Sequence, residues 1–258
     1  MRQGLLSKQE HRMFKKLLAA IGVGGASVDT RLLNASLQPG QTFEARIVLK
    51  GGEVSQSIAG LELALMTRVK VSDGDSSHFI NHCLASWRIS EGFELQAGEE
   101  RELPFIGQLH PETPFTELPV RNNQCRVWLQ TGLAIDYAID PGDQDLLQIQ
   151  PTQLLLHLLQ AMEELGFVLK KADVEQGYIN TYGFRSGSGC YQELEFVPAG
   201  LGIRLLREVE LTLVPAGKQT HILLELDRAF RGDGYLSLTL DNQADYPQVL
   251  AALQPHLV

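Results

Sequence analysis

From Ser27 to about Gln150, apolar and polar residues alternate with a period of two. Thr42 to Lys50 reads T-F-E-A-R-I-V-L-K and places Phe43, Ala45, Ile47 and Leu49 on one face. Leu61, Leu63, Leu65, Val69 and Val71 repeat the pattern. Further runs cover Phe79 to Ile89, Glu100 to Leu109 and Cys125 to Ile135, with a short one at Leu146 to Ile149. Turn-forming pairs such as Pro39-Gly40, Asp73-Gly74 and Pro141-Gly142 separate them. Half-buried strands punctuated this way predict an antiparallel β-sandwich.

The period changes once. Thr152 stands where an N-cap belongs, and Leu154, Leu155, Leu158, Leu159, Met162 and Leu165 form a helical stripe that Gly166 ends. Alternation then resumes at Leu169 to Glu175, Gln192 to Val197, Glu208 to Val214, His221 to Leu226 and Tyr235 to Leu240. Tyr178 to Gly189 reads as a loop, and Tyr246 to Leu253 as a short closing helix. Ahead of the strands, Met13, Phe14, Leu17, Leu18 and Ile21 recur at helical spacing, with Gly22 as the stop. The expected organisation is a terminal extension and amphipathic helix over 1–25, a β-sandwich over 26–150, a linking helix over 151–168 and a β domain over 169–258.

Charge refines this picture. The net charge is −9 over 258 residues. Residues 1–25 carry Arg2, Lys8, Arg12, Lys15 and Lys16 against Glu10 alone, so a +4 head precedes a −13 body. The body lacks the Lys/Arg surplus that phosphate neutralisation needs, which argues against a nucleic-acid partner. Three scattered cysteines, no CxxC and no apolar run of about 20 residues point to a reducing cytosol without a membrane span.

Two stretches resemble arrestin-type sandwiches. They are Leu37-Gln-Pro39-Gly40-Gln-Thr-Phe43-Glu-Ala-Arg-Ile47, and Leu95-Gln-Ala-Gly98 leading through Leu103-Pro104-Phe105 to Pro111 and Pro114. A narrower likeness runs in order along the chain from Met13. Met13-Phe-Lys-Lys-Leu-Leu-Ala-Ala-Ile-Gly22-Val-Gly24 through Asp29-Thr30 resembles the opening of the bacterial stage-zero sporulation protein M, or sporulation-control, family. Thr131 to Asp145, Glu163-Glu164-Leu165-Gly166-Phe167 and Glu225-Leu226-Asp227-Arg228 resemble further landmarks. Residues 1–12 precede that family's usual start. The resemblance implies a mainly β, arrestin-like fold of two antiparallel sandwiches, and a cytoplasmic, non-enzymatic regulatory or scaffold role with protein partners. It implies no catalytic residue and no cofactor. It does not imply that the host forms spores.

Each candidate for chemistry has an ordinary reading beside it. His78 and His82 share a face with Cys83 nearby, but four residues along a strand span roughly 13 Å, too far to share one ion. No metal is expected there. Asp136, Asp140, Asp143 and Asp145 form the densest acidic group, read first as a solvated Asp-Pro-Gly turn, with a partner-facing acidic patch and a calcium site that lacks the EF-hand spacing as the alternatives. By analogy with arrestins, Asp136 or Asp140 is a candidate to pair with Arg68 or Arg126 as an interdomain switch. Arg185-Ser-Gly-Ser-Gly-Cys190 lacks a P-loop's Gly-Lys ending and a hydrolase elbow's spacing, so it reads as a mobile hairpin tip. Trp87 and Trp128 are expected in the core and His157 in packing. Phe14, Lys15, Lys16 and Leu18 are the candidate contacts to a partner or to an anionic membrane surface. A homo-oligomer is a further candidate assembly.

Overall fold

A computed structural model describes residues 24–34, 36–74, 76–135, 142–200, 205–229 and 232–257. The first half is a sandwich. Its smaller sheet has the order β1 (Ser27–Leu32), β2 (Thr42–Lys50), β5 (Glu100–Gln108). The facing layer contains β4 (Ser76–Leu95), β3 (Gln56–Asp73), β7 (Val127–Ile135) and β8 (Gly142–Leu146). Every second residue of β2, from Phe43 to Leu49, is buried, as are Leu61, Leu63, Leu65 and Val69 of β3. Burying such a face is what holds two sheets together. Phe43 lies opposite Gly107, where a Cβ would stand 2.6 Å from the ring, so only glycine fits. Trp87 and Phe105 complete an edge-packed aromatic cluster with Phe43, centroids 5.6–5.9 Å apart.

The second half is an antiparallel meander of β9 (Phe167–Gln176), β10 (Cys190–Pro198), β11 (Leu206–Ala216), β12 (Gln219–Arg228) and β13 (Gly232–Asp241). Two helices, rather than a second sheet, cover its inner face. These are α1 (Gln153–Glu164) and α2 (Tyr246–Leu257). The α1 cap is the one expected: Thr152 Oγ1 accepts from Leu155 N at 3.3 Å. Leu154, Leu155, Leu158, Ala161 and Met162 are buried. They share one continuous core with Leu194, Phe196, Leu211 and Leu224 of the meander and with Phe43 and Leu65 of the sandwich.

The joint between the halves is β3. Its residues 58–67 pair with β7. Farther along, Lys70 meets Glu175 of β9 in a parallel bridge, and the two-residue β6 (Asn122–Asn123) pairs with β9 beside it. One 18-residue strand therefore serves both halves.

The strand expected at Leu146 to Ile149 is displaced. Pairing with β7 runs over Gly142–Leu146, whereas Leu147 and Ile149 are buried in a crossing stretch whose Ile149 bridges Leu37. Apolar spacing alone does not distinguish those situations. We expect Leu158→Ala in α1 to cost about 2–5 kcal/mol in urea unfolding. Leu156→Ala on the same helix, at a residue 44% exposed, should cost less than about 1 kcal/mol.

Candidate functional site

Alternation on β9 turns Lys171, Asp173 and Glu175 to the face opposite the helices. Lys70 Nζ reaches Glu175 Oε1 at 2.6 Å and Asp173 Oδ2 at 3.6 Å. Lys171 Nζ reaches the same Asp173 oxygen at 2.8 Å and Glu195 Oε2 at 3.4 Å. Lys170 pairs with Glu195 and, at 3.5 Å, with Glu208. The Asp173 side chain is only 2% exposed. Two ammonium groups face this carboxylate, which offsets the cost of withdrawing it from water. The bond to Glu175 holds the Lys70 pKa above its ordinary value.

Beyond this network the same face turns acidic. The strand register sets Glu195 opposite Glu210 and Glu210 opposite Glu225, with Glu208 opposite Asp227. Like charges directly opposed across strands destabilise a sheet. A depression of about 230 Å³ is lined by Glu208, Glu210, Glu225 and Asp227. Burial first, then Glu210, Glu175 and Asp173, push Glu193 up to about 8. Burial, then Glu225, Glu208 and Glu195, push Glu210 up to about 7. Asp173, Glu175 and Glu193 offer oxygens within 4.8 Å of one another, the spacing of a cation site. Lys70 and Lys171 already supply positive charge there.

A second tie joins the halves. The Oε1 of Glu112, from the first half, accepts from Gly187 N at 2.8 Å, and its Oε2 accepts from Ser188 N at 2.9 Å. His82 Nε2 lies 2.7 Å from Ser188 O. The Gln192 amide exchanges 2.9 Å hydrogen bonds with both backbone groups of Phe115. Beside these contacts lies a cleft of about 460 Å³, walled by Gln38 and Gly40, the start of α1 at Thr152 and Gln153, and Pro215 and Asn242.

The residues singled out from sequence are dispersed. Phe14, Lys15, Lys16 and Leu18, and Asp136 and Asp140, lie outside the described residues. Asp143 and Asp145 are on strand β8 against β1, not in a turn, and within the first half rather than between halves. Asp143 Oδ2 accepts from Thr30 N at 2.7 Å. Burial, Asp143 and Asp29 push Asp145 up to about 6. Arg68 donates to Gln124 O at 2.7 Å and lies 4.3 Å over the Phe79 ring. Among the described residues, charge pairs cross between the halves through Lys70, Asp173 and Glu175. The signal available for them was the alternation K-A-D-V-E within β9, which shows a polar face but not what it meets. His78, His82 and Cys83 are on β4, with His82 engaged by Ser188. The Gly-Ser loop is pinned by Glu112 rather than a bare tip. Cys190 is buried, and that burial pushes its thiol up to about 11, which keeps it from acting as a reactive thiolate. His157 is a packing residue, 3.0 Å from Ala244 O.

Residues 14–230 match the model of the SpoOM protein family. The chain belongs to this family. Over 220 residues it is 34% identical to the sporulation-control protein spo0M of Bacillus subtilis (strain 168), covering 85% of this chain and 82% of that protein. The crystal structure of Spo0M, sporulation control protein, from Bacillus subtilis superposes with a TM-score of 0.79 at 29% identity, covering 91% of this chain and 98% of that one. The mainly β, arrestin-like fold class thus holds for this SpoOM family member.

The acidic face carries a pH signature. An unfolded glutamate titrates near 4.3, whereas Glu193 and Glu210 titrate near 8 and 7 in the fold. Between those values the folded chain holds more protons than the unfolded one, so their contribution is full below about pH 4 and is lost as pH rises through 7 and 8. We expect the urea midpoint to fall from pH 6 to pH 9, and Glu193→Gln to flatten that decline. An unchanged slope in the variant contradicts this assignment.

Proposed function

We infer that this SpoOM family member is a non-enzymatic cytoplasmic regulator or scaffold that works by binding other proteins. Its relative's role in sporulation control supports a regulatory reading. The observation that carries the binding reading is the larger sheet's open boundary. β8 ends it on one side, β13 on the other, and β4 flanks β3, each with one strand partner among the described residues. Unpaired strand edges present backbone donors and acceptors that an extended segment of another chain can satisfy. The ties at Lys70 and Glu112 hold the halves together as one platform, and the cleft between them is a second surface. Domain boundaries near residues 26, 151 and 169 are part of the same reading.

The test is affinity capture with the full chain from native lysate of the producing organism at about 0.15 M salt. A recurrent set of proteins retained over a tag-only control is the expected result; recovery of nothing beyond that control overturns the reading. The alternative is docking of segment 13–21 on anionic membrane. It rests on the basic, apolar composition of that segment. That reading requires salt-sensitive sedimentation with anionic liposomes, lost when Lys15 and Lys16 are changed to Glu. Among the described residues no helix is long and apolar enough to cross a membrane.

A further inference from the structure

The three open edges of the larger sheet are not equivalent. β8 is five residues long and flanks the Asp143–Thr30 contact. β4 is interrupted by register shifts opposite Leu61/Glu62 and Leu65/Met66 and carries His78, His82 and Arg88. Short length, irregular register and charge are the usual means by which edges are kept from pairing. β13 is neither short nor irregular, and its charges, Asp233 and Asp241, stand only near its two ends. It reads G-D-G-Y-L-S-L-T-L-D over ten residues, without lysine, arginine or proline, and pairs with β12 in unbroken register.

The two faces beside this edge differ in chemistry. Inward, Leu236, Leu238 and Leu240 pack against the core but are only partly buried. Outward, Tyr235 is 67% exposed, and its hydroxyl donates to Glu225 Oε1 at 2.8 Å. One strand farther in lies the depression of Glu208, Glu210, Glu225 and Asp227. Of the neighbouring cations, Lys170 pairs with Glu195 and reaches Glu208 of this depression only at 3.5 Å, Lys171 pairs with Asp173, and Arg228 lies over Gly234 at one end of β13. A strand added to β13 would lie about 10 Å from β12, two strand spacings away. Long cationic side chains cover that distance over the small Ser237, or stack on the Tyr235 ring while approaching Glu225.

We propose that the outer edge of β13 accepts an extended segment of a partner protein in which lysine or arginine alternates with apolar residues. The apolar set continues the Leu236–Leu238–Leu240 row, and the cations neutralise the carboxylates of β11 and β12. This rests on the partner-binding reading and specifies its surface and its partner's chemistry.

The test uses the full chain with a capped ten-residue peptide of alternating lysine and valine. An alternating glutamate–valine peptide, and a lysine–valine peptide with every second amide N-methylated, serve as controls. The expected result is binding of the first peptide with slowed amide exchange across Leu236–Leu240. Binding should weaken at least about tenfold for the N-methylated peptide, for Ser237→Lys and for the Glu225→Gln/Asp227→Asn double variant. Binding that leaves β13 exchange unchanged overturns the proposal, as adsorption to the acidic face alone. So does equal binding of the glutamate peptide. A concentration-dependent dimer that protects β13 without peptide overturns it in favour of a second copy. Lysate capture that succeeds equally with Ser237→Lys defeats the β13 assignment while leaving the general binding reading intact. An empty lysate capture combined with peptide addition at β13 does the reverse.

Discussion

The meeting of Lys70 with Asp173 and Glu175 is the contact around which the molecule is arranged. A strand long enough to complete the sandwich and still reach the meander must carry its end out of the first core. At that point β3 offers one ammonium to two carboxylates that the second half has withdrawn from water. Neither partner is well placed alone. Asp173 without cations would be a buried charge, which proteins avoid by pairing or neutralising it. Lys70, for its part, makes the single parallel bridge to β9 a specific register rather than a sliding contact. The continuous apolar core supplies most of the adhesion between halves, because it is large and non-directional. The ion pairs and the Glu112 bond to the Gly187–Ser188 backbone supply the orientation.

The same face shows the opposite economy a few strands away. Glu193, Glu195, Glu208, Glu210, Glu225 and Asp227 lie on neighbouring strands with too few cations nearby, and Glu193 and Glu210 resist ionisation as a consequence. A sheet selected only for stability would alternate signs across these positions. Local departures from such rules concentrate where a protein meets something else. Here the departure adjoins an edge strand that lacks lysine, arginine and proline and is charged only near its ends.

Much of this was legible in the chain. Thr152, the leucine stripe and Gly166 announced α1 because a 3.6-residue period with a cap has few competing explanations. Nearly every strand was marked by alternation, since one face of each is buried. The failures have physical causes. Gly142–Leu146 carries little apolar signal, so β8 was sought a few residues late, where Leu147 and Ile149 are buried without being strand. The charge junction among the described residues involves none of the carboxylates singled out from sequence, two of which, Asp136 and Asp140, lie outside those residues. Spacing reports which side chains share a face, while Lys70 and Glu175 are brought together only by a contact 105 residues apart in the chain. Glu112 and the Gly-Ser loop were unreadable for the same reason.

A double-mutant cycle between Lys70 and Glu175 tests the central claim most directly. Lys70→Met, Glu175→Gln and the pair are compared by urea unfolding. An interaction that orients the halves predicts a coupling of about 1 kcal/mol or more. Strictly additive effects, within about 0.5 kcal/mol, would mean that the two side chains are merely neighbours and that the apolar core alone sets the junction.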